Sequence, residues 1–307
     1  RKRGVGAGDR HVAEESHSWH GQVRVPRIRY IRSQRGGDRT HDVVAFGMRF
    51  LTQLTVTAAL ASTVGLGACR DSTAPDAGAG TPSRLFFIGN SLTAGNDLPG
   101  MVQGLSRALG IEVTVASSLM GGTSLEDHWA IESVRQAVAS GGYDVVILQQ
   151  GPSALPESQI YLREWTVTWN TVIRRAGGVP ALYAVWPSEG RSFDFPNVSA
   201  SYRAAARAVD GILFPVGDAW QQTWAIDPTV PLYDEDRFHP SVVGTYAAAV
   251  VMVARLFDRD PRSFPTQFET PSGQTIAIES QHATAIHEGA ARALLDLRQE
   301  LPFLREP

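Results

Sequence analysis

From residue 84 onward the chain alternates short, continuously apolar runs with longer stretches of helical apolar period, and this rhythm constrains the fold more than any other feature. Short runs without polar alternation fit strands buried on both faces, and the longer stretches fit helices laid across them. The spacing predicts strands at 85–88, 112–116, 145–149, 181–185 and 212–216, and helices at 98–109, 131–139, 158–175, 200–209 and 242–257. Glycines at or near the expected helix-to-strand turns (Gly110, Gly141, Gly142, Gly177 and Gly211) support the same punctuation. Strand and helix in regular succession imply parallel crossovers, hence an α/β domain of three layers with a parallel sheet in the middle. Residues 261–307 are first rich in Pro, Ser and Thr, with a short strand expected at 275–278, and then helical at 283–297. They are expected to decorate the domain at 83–260 rather than to form a second one.

The N-terminal part follows different rules. Residues 1–47 carry ten Lys/Arg against five Asp/Glu and show no sustained apolar period, which fits a disordered segment or translation upstream of the true start. Met48 and Arg49 then open a charge-free apolar run rich in small residues that ends at Ala68. A charged start, an apolar middle and a small-residue end describe an export signal over 48–68. The tetrapeptide Leu66, Gly67, Ala68, Cys69 resembles the lipobox of bacterial lipoproteins, which implies lipidation at Cys69 and attachment to a membrane facing the periplasm or cell exterior. Residues 69–82, rich in Asp, Ala, Gly, Pro and Thr, then read as a tether. Cys69 is the single cysteine of the chain, so no internal disulfide is expected. Residues 69–307 hold 17 Lys/Arg against 26 Asp/Glu, which excludes the clustered cationic footprint of nucleic-acid binding.

In open parallel sheets ligands sit beyond the carboxyl ends of the strands, so the chemistry is sought there. After the first expected strand stand Gly89, Asn90 and Ser91. A serine at a strand-to-helix turn projects its hydroxyl outward while the amides of the helix start point at the same spot, an arrangement suited to an oxyanion. Far downstream, Asp236 and His239 lie three residues apart, within reach on one turn, and Pro240 precedes the last long helix of the domain. A serine hydroxyl needs a base to take its proton, and the base needs a carboxylate to fix its tautomer. Each motif alone is common; a Ser after Gly-Asn is usually a helix cap. The pairing at opposite ends of one predicted domain carries the inference.

The block Phe87-Ile-Gly-Asn-Ser-Leu92 resembles the first conserved block of the SGNH/GDSL hydrolases, and Asp236-Arg-Phe-His-Pro-Ser241 resembles the last. The resemblance runs from about residue 84 to 257 and implies a flavodoxin-like, five-stranded parallel sheet. By this resemblance Ser91 is the nucleophile, His239 the general base and then acid, and Asp236 the group that orients His239, with Asp234 as its rival. Gly121-Gly-Thr-Ser124 resembles the second block, whose glycine lends an amide to the oxyanion hole beside that of Ser91; Gly121 fits the frame, with Gly122 as the alternative. The third block departs from the family. Ser153 stands where an Asn is expected, so the missing donor is Ser153 or the amide of Gln149 or Gln150 at the strand's end.

Asn90 and Trp186 are expected to contact substrate, Trp186 either as a wall of the pocket or as core. Trp220 reads as core, His128 as a packing or capping residue near the rim, and His282 and His287 as solvated. No paired-Cys cluster and no metal-binding His motif occurs, so neither metal nor cofactor is expected. The implied reaction is hydrolysis of small or carbohydrate O-acyl esters, acetyl esters above all, with lipid esters or thioesters as the variant and a non-catalytic binding lipoprotein as the competing class.

Overall fold

In the computed structural model, residues 83–300 are described; the expected upstream segment, export signal, Cys69 and tether lie outside them, as do residues 301–307. A five-stranded sheet forms the centre: β1 (Arg84–Gly89), β2 (Thr114–Leu119), β3 (Val145–Leu148), β4 (Val179–Tyr183) and β5 (Ile212–Phe214), in the order β2-β1-β3-β4-β5 and parallel throughout. The inner strands β1 and β3 are apolar on both faces and buried from end to end after Arg84, as continuous apolar runs require.

The chain steps one way from β1 to β2 and the other way from β3 through β5, so right-handed crossovers send the connecting helices to opposite faces. In one layer α2 (Leu98–Ala108) packs on α8 (Val242–Phe257), and both α8 and α7 (Val216–Ile226) pack on α9 (Ser280–Glu300). In the other, α5 (Pro156–Arg175) lies between α4 (Glu132–Ala139) and α6 (Phe195–Ala208). Two short helices complete the connections on the site side, α1 (Ser91–Ala94) and α3 (Leu125–Ala130). A hairpin of β6 (Gln267–Glu269) and β7 (Thr275–Ala277) packs beside α2, and α9 continues the helical layer, so residues 261–300 decorate the same body. Among the described residues no helix is long and apolar enough to cross a membrane.

Some boundaries differ from the sequence reading for physical reasons. The second strand starts at Thr114 rather than 112 and runs through Ser117 and Ser118 to Leu119. It is the sheet's edge, half in solvent, so its apolar pattern is diluted. The fifth strand ends at Phe214 because Pro215 has no N–H for the ladder, and Val216 already opens α7, which the sequence reading took as strand. Helix α6 begins at Phe195, not 200, with Pro196 in its first turn where a missing amide costs little.

Candidate active site

Ser91 is the first residue of α1, directly off the end of β1. Asn90 caps this helix, its Oδ1 accepting the Leu92 amide at 3.1 Å, while its Nδ2 donates to the Thr123 carbonyl at 3.1 Å. Asn90 therefore ties the two loops that follow β1 and β2. The turn preceding it is crowded. A Cβ on Gly89 would lie 2.5 Å from Thr93 Oγ1 and 2.6 Å from Gln149 Oε1, so no larger residue fits without moving the nucleophile turn.

Gln149, at 1% exposure, explains that crowding. Its Oε1 accepts from the Asn90 amide at 2.8 Å and from Thr93 Oγ1 at 2.8 Å, and its Nε2 donates to the Gln150 carbonyl at 2.7 Å. Buried and absent from the lining of the cleft in front of Ser91, Gln149 is corrected from oxyanion candidate to clamp. Gln150 differs. Its backbone N–H donates to Tyr202 Oη at 3.1 Å, and the same phenol donates back to its carbonyl. Its side-chain Oε1 accepts from the Leu125 amide at 3.3 Å, while Nε2 has no acceptor among the described residues and Gln150 lines the cleft in front of Ser91. Ser153 also lines the cleft, but it is exposed and shares a 2.8 Å hydrogen bond with Ser158 Oγ.

From the other side the turn is held by His128, which is fully buried. Its Nε2 lies 2.9 Å from the Gly89 carbonyl, an acceptor only, so this nitrogen carries the proton. Thr123 Oγ1, which donates to Met120 O at 2.7 Å, sits 3.0 Å from the same nitrogen as a second acceptor. Nδ1 then accepts from Ser118 Oγ at 3.0 Å. Burial pushes the imidazole pKa down, in keeping with a neutral ring. The loop after β2 turns at Gly122, whose φ of +72° lies in the region that favours glycine. Gly122, not the expected Gly121, lines the cleft.

His239 stands on the loop 227–241 between α7 and α8, 148 residues from Ser91 in sequence, and its Nε2 lies 2.9 Å from Ser91 Oγ. Its Nδ1 lies 2.5 Å from Asp236 Oδ2, and the other carboxylate oxygen of Asp236 accepts the amides of Phe238 at 2.9 Å and His239 at 2.8 Å. The bond to the His239 side chain, followed by the Phe238 amide, holds the Asp236 carboxyl down to about 2. Asp234 is turned elsewhere: its Oδ1 accepts the Glu235 amide, and its backbone N–H donates to His239 O at 2.8 Å. A tight turn closes the loop, with Arg237 N–H donating to Asp234 O at 2.9 Å and Arg237 held at φ +59°.

Trp186 does not face the cleft. It is fully buried and stacks on Trp220 with ring centres 3.5 Å apart, and its Nε1 donates to Phe238 O at 3.0 Å. The expectation of substrate contact is corrected: the strand-end position that suggested exposure is covered by the loop it supports. Trp220 and Trp224 pack in turn on Tyr233, whose hydroxyl donates to Pro187 O at 2.6 Å. His287, expected to be solvated, is buried, with Nε2 2.5 Å from Tyr246 Oη, while His282 lies 3.6 Å from Glu279.

The cleft has a volume of about 520 Å³. Asn90, Ser91 and Leu92 form one end, Gly122, Thr123, Ser124, Gln150 and Gly151 the floor, and Ser153, Glu157, Ser158 and Tyr161 the far wall, with Phe238 beside them. Sequence reasoning missed Thr93, Thr123, Glu157 and Tyr161. The threonines flank motifs that were read for their Ser and Gly; the other two lie early on α5, whose start was placed at 158 rather than Pro156. Among the described residues no group of three or more His, Cys, Asp or Glu side chains is arranged to hold a metal ion.

No protein-family model matches the chain. No curated protein matches it. Among solved structures, a DUF4886 family protein from Bacteroides uniformis aligns with a TM-score of 0.56 at 20% identity, covering 69% of this chain and 95% of that one. A lipase/acylhydrolase from Enterococcus faecalis aligns at a TM-score of 0.45 and 19% identity, over 56% of this chain and 93% of that one. An acetyl xylan esterase from Geobacillus stearothermophilus aligns at a TM-score of 0.45 and 16% identity, over 58% and 94%. At 20% identity the first of these is a likeness of fold.

Proposed function

We propose that the protein is a serine ester hydrolase that works through an acyl-Ser91 intermediate on small or carbohydrate O-acyl esters, acetyl esters in the first place. The observation that carries the reading is the unbroken chain Asp236 Oδ2, His239 Nδ1, His239 Nε2, Ser91 Oγ, with links of 2.5 and 2.9 Å. Asp236, ionised at any ordinary pH, accepts Nδ1–H and so leaves Nε2 with its lone pair toward the serine. His239 takes the Ser91 proton as Oγ attacks the ester carbonyl, then gives it to the departing alcohol. Water, deprotonated by the same nitrogen, releases the acid and restores Ser91.

The tetrahedral oxyanion needs donors that are already in place. The Ser91 amide is at a helix start, where no carbonyl of the same helix can reach it. The Gly122 amide has no carbonyl partner among the described residues, and the Gln150 Nε2 is the unspent side-chain donor. In this reading Gln150 takes the part that an Asn plays in the family.

Hydrolysis of p-nitrophenyl acetate by the protein and by Ser91→Ala tests the proposal. Loss of activity by about four orders of magnitude or more is expected on removing a nucleophile, and equal rates would end it. Gln150→Met keeps the shape and deletes the donor; kcat should fall roughly a hundredfold with KM little moved.

A further inference from the structure

The far wall of the cleft has a sign. Ser124, Ser153, Ser158 and Tyr161 present hydroxyls, and Glu157 supplies the one formal charge among the lining residues. No Lys or Arg lines the cleft. Two acids bonded to the wall reinforce rather than offset it: Glu126 accepts the Tyr161 hydroxyl, and Asp127 accepts the Ser124 hydroxyl at 2.8 Å. Arg237, next in sequence to Phe238, is turned away, 3.4 Å from Glu189, and lines a separate groove with Tyr233 and Trp224.

Glu157 also stands in the first turn of α5, a 20-residue helix whose positive end would otherwise attract anions into the cleft. Its carboxylate cancels that attraction from within the helix. An ester whose acyl or alcohol half carries a negative charge would meet this exposed carboxylate with no Lys or Arg in the lining to answer it. An uncharged polyol half would instead find four hydroxyl oxygens able to accept its donors, the Ser124 and Tyr161 protons being held by Asp127 and Glu126 and one of the Ser153 and Ser158 protons by the other serine.

We infer that Glu157 acts as a charge filter, so that this cleft prefers esters uncharged on the half that lies against α5 and disfavours anionic ones. This deepens the ester-hydrolase reading and rests on it for the word substrate, though the filter itself is a property of binding. The size of the effect follows from one exposed carboxylate facing one ligand charge, about threefold to tenfold at low salt and less when screened.

Two matched pairs test it. 4-Acetoxybenzoate and its methyl ester place the charge on the alcohol half; monophenyl glutarate and its methyl ester place it on the acyl half. The full chain and Glu157→Gln are compared by the ratio of kcat/KM for neutral over anionic member, so that intrinsic reactivity cancels. The ratio should drop about threefold to tenfold in Glu157→Gln for at least one pair, and drop further in Glu157→Lys. It should also shrink in the parent protein at high salt. The pair that responds names the half of the ester lying against α5. A ratio identical in all three proteins for both pairs overturns the filter. Because binding of the same four ligands to Ser91→Ala, read by ligand-observed NMR, gives the ratio without turnover, failure of the hydrolase reading and failure of the filter are told apart.

Discussion

Ser91 stands on a turn enclosed by buried hydrogen bonds, whereas His239 stands on an exposed loop that rests on stacked indoles. Around the serine, Gln149 and His128 are 1% and 0% exposed, and every polar atom they present to the turn is paired. Around the imidazole, the His239 and Asp236 side chains are 37% and 51% exposed, and the loop is shaped by its own turn and by the Trp186 contact beneath it. The two halves must be positioned by different energies. A buried polar cage is strong while complete and costly once one member is missing. A solvated loop loses little when a bond breaks, because water replaces it. Damage to the cage should therefore unfold and disable together, and damage under the loop should disable more than it unfolds.

The sharpest way to break that contrast is Gln149→Leu. The substitution leaves the Asn90 amide and the Thr93 hydroxyl without their shared acceptor in a dry site. About 2–4 kcal/mol of stability should be lost, and kcat should fall by roughly a hundredfold or more as Ser91 shifts. Chemical denaturation and steady-state kinetics on the same preparation check both. A variant with normal stability and lost activity would show that the cage acts on chemistry alone.

Trp186→Phe probes the other half and should do less. The ring survives to stack on Trp220, but the hydrogen bond to Phe238 O is gone. A loss of about 1–2 kcal/mol in stability is expected from the bond and the smaller ring. The fall in kcat should be about tenfold, with KM nearly constant, because His239 is displaced and the cleft is not. If stability fell as far as in Gln149→Leu, the loop would be as much a part of the core as the turn.

How much of this could be read beforehand differs between the same two regions. The rhythm of apolar runs placed all five strands of the sheet, since buried parallel strands write themselves plainly in sequence. It misplaced the edge strand, where Ser117 and Ser118 interrupt the pattern, and overran Pro215. Ser91, Asp236 and His239 were legible because their chemistry is rare in combination, and the structure brings their side chains into one hydrogen-bonded row. Gln149 and Gln150 were not separable, because two adjacent amides at a strand's end differ only in which way each one turns. Trp186 was open between pocket wall and core for a similar reason: position at the carboxyl edge predicts proximity to a ligand, but the loop from 233 to 239 folds over it and makes it core. Gly122 was passed over for Gly121 because a motif frame fixes spacing and not φ.

Acid distinguishes the two regions by the pH at which each gives way. Burial lowers the His128 pKa, so the unfolded chain binds this proton more readily than the folded one. The stability the cage contributes is then complete above the ordinary imidazole value of 6.5 and declines as pH falls through it toward the depressed folded value. For Asp236 the folded carboxyl titrates at about 2 against an ordinary 3.8, so its contribution persists down to 3.8 and is lost only below, toward 2. His287, lowered to about 4 by burial, adds a slope of its own between 6.5 and 4. Comparison with His128→Gln, which retains His287, cancels that slope. Denaturation midpoints followed from neutral pH into acid should decline less steeply in His128→Gln than in the parent above pH 4, while Asp236→Asn should run parallel to the parent and slightly below it there, and converge on it only as pH falls below 3.8. The offset should be the smallest of these effects, since Asp236 is half in solvent and its interaction is screened. An Asp236→Asn curve whose slope differs from the parent's above pH 4 would mean that the exposed loop and the buried cage share one folding unit, and the contrast between them would not hold.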